Sequence, residues 1–248
     1  MKRTSSTQRI PEMKPLGDSA LIIVLGTEIN PSTHLKVKIV ADYLEQHPFP
    51  GFIECVPAFT SVTVFYHPAV IYHSYNKDRS PYQVVCSLIC ESIKELEGGP
   101  ADKKRTVDVP VCYGGELGPD LEVVAQLNNL TTDEVIEIHT KGEYLVYMIG
   151  FAPGFPYLGG MSERIAAPRH RSPRVAIPAG SVGIAGMQTG VYPISTPGGW
   201  QLIGRTPLEL FRPSENPPTL LQSGDLVKFS PISLKEYEVY KEKKGNKL

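Results

Sequence analysis

The chain has 248 residues, a formal net charge of -1 and 41% hydrophobic residues, the make-up of an ordinary globular protein with room for one large domain or two smaller ones. So even a charge balance leaves no footprint for nucleic acid or an anionic membrane surface. No apolar run approaches the ~20 residues that span a bilayer. The basic start MKRTSSTQRIPEMK leads into no signal-type apolar core, so the expected location is cytoplasmic.

Residues 1–13 read as a loose arm. Ala20 to Leu25 is a continuous apolar run, the mark of a strand covered on both faces. Asn30 before Pro31 gives an N-cap with proline at the first helical position. Leu35, Ile39, Val40, Tyr43 and Leu44 then recur at helical spacing until Pro48, Pro50 and Gly51 stop the helix. Phe52 to Val56 and Ser61 to Tyr66 are two short strands, the second with Val62, Val64 and Tyr66 on one face. Ser80-Pro81-Tyr82-Gln83 is a capping box for a helix with the stripe Val84, Val85, Leu88, Ile89, Ile93 and Leu96, closed by Gly98-Gly99. This β-α-β-β-α order is one strand short of a split βαβ, ferredoxin-like unit. The missing strand is Thr106 to Cys112 or a piece the pattern does not resolve. His34, His67 and His73 read as solvated. Cys86 and Cys90 stand four apart on the helix, but no second close pair accompanies them, so the four cysteines read as reduced core residues and no metal site is expected.

Gly98 to Arg105 is small, charged and free of large apolar residues, a linker between domains at 14–100 and 104–233. Beyond it come a strand from Val107 to Cys112, a Gly-Gly turn, and a helix that Asp120 is placed to cap. Thr131-Thr132-Asp133-Glu134 is a capping box opening a helix to about His139, and Tyr144 to Ile149 is a strand. Leu208 to Phe211 and Gly224 to Phe229 read as the last strands, and the charged tail KEYEVYKEKKGNKL as a fraying end. Strands at regular, turn-bounded intervals make this half a β-barrel with two short helices.

Gly150 to Thr206 is the densest part of the chain: glycine and proline recur every few residues, with Val, Ile, Phe, Tyr and Trp between them. A linker would lack the apolar residues and a helix would not survive the prolines, so this is turn-rich β-structure with shaped loops. Its scattered Arg, Gln, Tyr, Ser and Thr residues admit two readings: a pocket of guanidinium, amide and hydroxyl donors for an anionic or amide-bearing ligand, or a solvated barrel surface. There is no GxxxxGK[ST], GxGxxG, GxSxG or HExxH. Glu143, Asp120 and Asp225 are conceivable bases, each explained equally by a cap or turn. Spacing alone yields no reaction.

The motifs VPVCYGGELGPDL at 109–121, GFAPGFPYLGG at 150–160, PRHRSPR at 168–174, PAGSVGIAGMQTGVYP at 178–193, TPGGWQLIGRTP at 196–207 and GDLVKF at 224–229 carry a resemblance. They are similar to those of the family that contains the B subunit of bacterial ATP-dependent 5-oxoprolinase, the sporulation-kinase inhibitor of bacilli, allophanate hydrolase subunit 1 and a module of urea carboxylases. In the first half only GDSALI at 17–22 and the element order support it. The resemblance implies an α+β two-domain fold, a ferredoxin-like N-terminal domain followed by a cyclophilin-like β-barrel. It carries the family's PR-x-x-x-PR motif onto Arg169 and Arg174 as catalytic residues, with Arg171 and His170 left as variable or solvated. Gln188, Tyr192, Thr196, Trp200, Gln201, Phe155 and Tyr157 become substrate-binding. ATP with Mg2+ is implied at a site shared with the C subunit, and 5-oxoprolinase subunits A and C as partners. The alternative within the same resemblance is an inhibitor that docks on the dimerisation helices of a sensor histidine kinase, through this surface or through an apolar edge of Phe151, Phe155 and Tyr157. A component of a urea or allophanate pathway is a weaker alternative. If either arginine is only structural, Glu163 or Glu209 is the expected carboxylate partner.

Overall fold

A computed structural model describes residues 11–75, 77–95 and 105–245. The chain divides into two compact units, Met1–Asp102 and Lys103–Leu248.

The first unit is a four-stranded antiparallel sheet with helices. Its elements are β1 (Glu12–Pro15), β2 (Ala20–Val24), α1 (Pro31–Gln46), β3 (Phe52–Pro57), β4 (Ser61–Tyr66), α2 (Pro68–Ser74) and α3 (Pro81–Glu95), with strand order β1-β2-β4-β3. Helix α1 connects two parallel strands, β2 and β3, around the antiparallel β4 between them. The strand missing from the sequence pattern is β1, formed by residues assigned in part to a loose arm; Glu12 pairs opposite Val24 and Pro15 opposite Leu21. Thr106 to Cys112 belongs to the other unit. The short helix α2 has no counterpart in the sequence pattern, although Pro68 supplies its first turn.

Two more readings of this unit are corrected. Leu35 is exposed and His34 is buried, because the inward face of α1 runs through Thr33, His34, Val37, Val40, Ala41 and Leu44. The cap itself is as expected, with Asn30 Oδ1 accepting from Thr33 N at 2.8 Å. Val62, Val64 and Tyr66 are fully buried on one face of β4, and they pack with Leu21, Ile23, Val85 and Ile89. Ser80 and Gln83 make the predicted reciprocal cap of α3. The Gly98-Gly99 stop and most of the 98–105 linker lie outside the described residues.

The second unit contains β5 (Thr106–Tyr113), α4 (Leu121–Leu127), α5 (Thr132–Lys141), β6 (Tyr144–Ile149), β7 (Pro156–Gly159), β8 (Arg174–Ile177), β9 (Ser181–Ala185), β10 (Gln188–Val191), β11 (Thr196–Gly198), β12 (Gln201–Arg205), β13 (Leu226–Pro231) and α6 (Leu234–Gly245). Seven strands form one sheet in the order β10-β9-β12-β5-β13-β6-β7, and its end strands β10 and β7 pack together, so the sheet is nearly a closed barrel. Strands β5 and β13 pair in parallel from Thr106–Leu226 to Val111–Pro231, which brings the two ends of the unit together. Strands β8 and β11 form a separate antiparallel ribbon.

Expectation and structure part at both ends of the last segment. Leu208 to Phe211 is not a strand; only an isolated bridge joins Phe211 to Thr219, because Pro207, Pro213, Pro217 and Pro218 withhold ladder donors. The charged tail does not fray at once but forms α6, started by a reciprocal Ser233–Glu236 cap and held by the buried Tyr237.

The interior of the barrel is apolar, with Val109, Val111, Val146, Val182, Ile184, Val191, Ile203 and Phe229 at its centre. One imidazole lies in it. His139 is fully buried, its Nδ1 lies 2.8 Å from the Tyr113 hydroxyl and its Nε2 2.9 Å from Thr189 Oγ1. Thr189 Oγ1 donates to Gly183 O at 3.1 Å, so it accepts from His139 Nε2–H, and Tyr113 donates to Nδ1. Every polar atom of the ring is thereby used in its neutral form. Burial pushes the imidazole down from 6.5 to about 3. A depressed histidine makes the unfolded chain the stronger proton binder between those values, so its contribution is present above about pH 6.5 and lost as pH falls towards 3. The stability of wild type to urea should fall as pH drops through that range, by up to about 1.4 kcal/mol per pH unit from this residue. His139→Gln should unfold more easily at pH 7.5, by about 1–3 kcal/mol, and should lack that part of the acid dependence.

Candidate functional site

Beside the barrel core lies a second, smaller cluster made of Phe155, Ile177, Ala185, Tyr192, Trp200 and Leu202. Phe155 is its hub, meeting the rings of Phe151, Tyr157, Tyr192 and Trp200 edge to face at centroid distances of 5.4–5.8 Å. Such contacts add to area burial and fix ring orientation. Of the apolar edge expected from Phe151, Phe155 and Tyr157, Phe155 is almost wholly buried and Tyr157 half-buried; Phe151 is exposed, and it has a positive φ of 67°. That conformation is strained for a phenylalanine and is held here by its packing on Phe155.

Polar groups gather at the edge of this cluster. Burial raises the Tyr192 hydroxyl, while a main-chain hydrogen bond from Trp200 and the positive charges of Arg169 and Arg174 pull it back down. Both arginines therefore stand within electrostatic reach of one hydroxyl. Arg174 donates from Nη2 to Asp120 Oδ1 at 2.7 Å, and its Nη1 lies 3.5 Å from Trp200 O. Arg169 is exposed and makes no ion pair among the described residues. Gln201 is buried, and its Nε2 donates to Pro168 O at 2.9 Å.

Of the residues singled out from sequence, Arg169, Arg174, Tyr192, Trp200, Gln201, Phe155 and Tyr157 fall into this one neighbourhood. Gln188 opens β10 opposite Ala185, itself a member of the cluster. Thr196 pairs opposite Ile177 on the β8–β11 ribbon, and its hydroxyl donates to Pro197 O at 3.3 Å.

Asp120, read from sequence as a helix cap or a conceivable base, has a partner that the sequence reading missed. It precedes α4 as expected, but its side chain makes no capping bond. Its carboxylate, 7% exposed, instead accepts from Arg174, from Leu202 N at 2.6 Å and from His170 Nε2 at 3.3 Å. The carboxylate partner of Arg174 is thus Asp120 and not Glu163 or Glu209, and His170 is tethered instead of merely solvated. Burial raises the Asp120 carboxyl, but Arg174, the Leu202 N–H and His170 outweigh it and leave it below the usual carboxylate range. A Pro-Asp-Leu before a helix looks like a cap in any sequence, and nothing local reveals a partner 54 residues away.

Gly198 and Gly199 lie where these groups converge. A Cβ on Gly198 would come within 2.5 Å of Tyr192 Oη and 2.6 Å of Ile177 Cδ1, whereas one on Gly199 would meet nothing closer than His170 O at 3.5 Å. Gly198→Ala should therefore cost about 1–3 kcal/mol in denaturant unfolding by forcing Tyr192 aside. Gly199→Ala should stay within about 0.5 kcal/mol of wild type. Equal losses at both would count against this packing.

The residues 11–221 match the family described as carboxyltransferase domain, subdomain C and D. The chain is 61% identical over 232 residues to the protein named as the B subunit of 5-oxoprolinase in Bacillus subtilis (strain 168), a match covering 93% of this chain and 97% of that one. The protein of the same name from Escherichia coli O157:H7 is 39% identical over 218 residues, covering 87% and 94%. Among solved structures, TTHA0988 matches with a TM-score of 0.71 at 31% identity over 86% of this chain, which spans 40% of that longer protein. With a match that runs through both structural units and takes in the aromatic cluster, Asp120 and both arginines, the chain belongs to the carboxyltransferase domain, subdomain C and D, family.

Proposed function

We propose that this chain is the B subunit of a 5-oxoprolinase, working with subunits A and C to open 5-oxoproline to glutamate at the expense of ATP. The observation that carries the reading is the 61% identity, over nearly the full length of both chains, to a protein of that name. In this reading the second unit is a cyclophilin-like barrel and the first a ferredoxin-like domain. The split order β2-β4-β3 supports the latter, with the N-terminal β1 in the place where a C-terminal strand would close the sheet.

The neighbourhood of Phe155 suits a small ring that carries a charge. Aromatic edges offer an apolar wall, and Arg169, Arg174 and Tyr192 offer donors to an anionic group. Opening the lactam consumes one water, which adds hydroxyl to the ring carbonyl carbon and leaves the nitrogen as the glutamate amine. ATP would supply the drive by passing its γ-phosphoryl group to the carbonyl oxygen, with ADP leaving and phosphate released as the water oxygen takes its place. The residues here fit an anion, but no GxxxxGK[ST] loop is present to cradle nucleotide phosphates, and Asp120 is committed to Arg174. This supports a nucleotide site completed by the partner subunits. The part of this chain is to bind and orient the substrate.

Reconstitution with subunits A and C tests the reading. Glutamate should form from 5-oxoproline only when ATP and all three subunits are present, and this chain alone should hydrolyse no ATP. Arg169→Lys keeps the charge and loses the guanidinium fork, so glutamate formation should fall about 10²–10³-fold while melting temperature stays within a few degrees. Full activity without this chain would end the proposal.

A further inference from the structure

One carboxylate holds Arg174 directly and, through His170, the loop that carries Arg169. Asp120 is located by the main chain, donating its own N–H to Leu202 O at 2.9 Å and accepting from Leu202 N at 2.6 Å. To that fixed point are tied Arg174 through Oδ1 and His170 through Oδ2. An ionised carboxylate only accepts, so His170 must donate from Nε2. The segment 168–174 is held again where Gln201 Nε2 donates to Pro168 O and where His170 N donates to Gly199 O at 2.7 Å. Arg169 therefore projects from a backbone tethered immediately on either side of it.

The charges count as well. Asp120 neutralises Arg174, so Arg169 is the arginine of the pair without a carboxylate partner among the described residues. A single unpaired guanidinium beside it suits one carboxylate. Arg174, with only one edge on Asp120 and one long contact to Trp200 O, keeps further N–H donors free.

We propose that Asp120 is a positioning residue that holds Arg174 and the Arg169 segment in place for one carboxylate group of the substrate. The oxoprolinase reading supplies the identity of that carboxylate, the one on 5-oxoproline; the geometry does not depend on it. Guanidinium groups oriented before the ligand arrives lower the cost of ordering them on binding.

The first experiment needs no activity. In the full chain alone, arginine side-chain NMR should show Arg174 Nη signals in slow exchange, and Asp120→Asn should average them while the fold melts cooperatively. In the reconstituted assembly, Asp120→Asn should raise KM for 5-oxoproline about 10-fold or more and leave KM for ATP within about twofold. In an Arg174→Ala background the same change should add no more than about twofold, since the two act as a unit. A mainly structural Asp120 would give an undiminished penalty in that background, and an unchanged KM for 5-oxoproline, or a raised KM for ATP instead, would equally overturn the proposal. If Asp120→Asn does not fold, Arg174→Ala with added guanidinium ion takes its place: Asp120 should hold the ion and restore activity, and absence of rescue counts against it. An inactive wild-type assembly would defeat the oxoprolinase reading, while the NMR result would still decide the positioning.

Discussion

A buried carboxylate must be compensated, and at Asp120 the compensation shapes the site. Taking such a group out of water costs several kcal/mol unless donors surround it. Here one donor is a strand N–H, one a guanidinium and one an imidazole, drawn from β12, from the start of β8 and from the loop before it. The ion pair therefore does more than join two side chains. It ties a proline-bounded loop to the barrel wall and restricts where that loop can carry Arg169.

The barrel provides the rigid frame against which this tie acts. Parallel pairing of β5 with β13 joins the beginning of the second unit to its end, and the contact of β7 with β10 nearly closes the sheet. Its centre tolerates His139 because Tyr113 and Thr189 satisfy both ring nitrogens. The aromatic cluster around Phe155 lies apart from that core, and it forms the apolar side of the candidate site, whose polar side is ordered by Asp120.

Two kinds of anchoring meet at the site. Edge-to-face ring contacts define an apolar shape over a broad area, whereas hydrogen bonds to Asp120, Pro168 O and Gly199 O define individual positions. Phe151 sits between these regimes, exposed and in a left-handed conformation, set edge to face against a ring that is itself buried. The barrel edge thus combines a rigid interior with a few surface residues held in defined orientations.

Local physics made much of the chain legible in advance. Asn30-Pro31, Ser80 with Gln83 and Thr131 with Glu134 announced helix starts because caps act within one turn, and alternation placed Val62, Val64 and Tyr66 inward on β4. The quoted motifs brought Arg169, Arg174, Tyr192, Trp200 and Gln201 forward, and these do share a neighbourhood. Other features were decided only by tertiary contacts. β1 looks like a polar arm until β2 offers it an edge, His34 is turned inward by the packing of α1, and α6 is a charged tail until Tyr237 is buried. Asp120 is the clearest case: its residue type and position satisfy a helix cap, but its hydrogen bonds go to groups 50, 54 and 82 residues away. Caps and alternation are written in neighbouring residues; a carboxylate chooses among distant donors only once the barrel has brought them within reach.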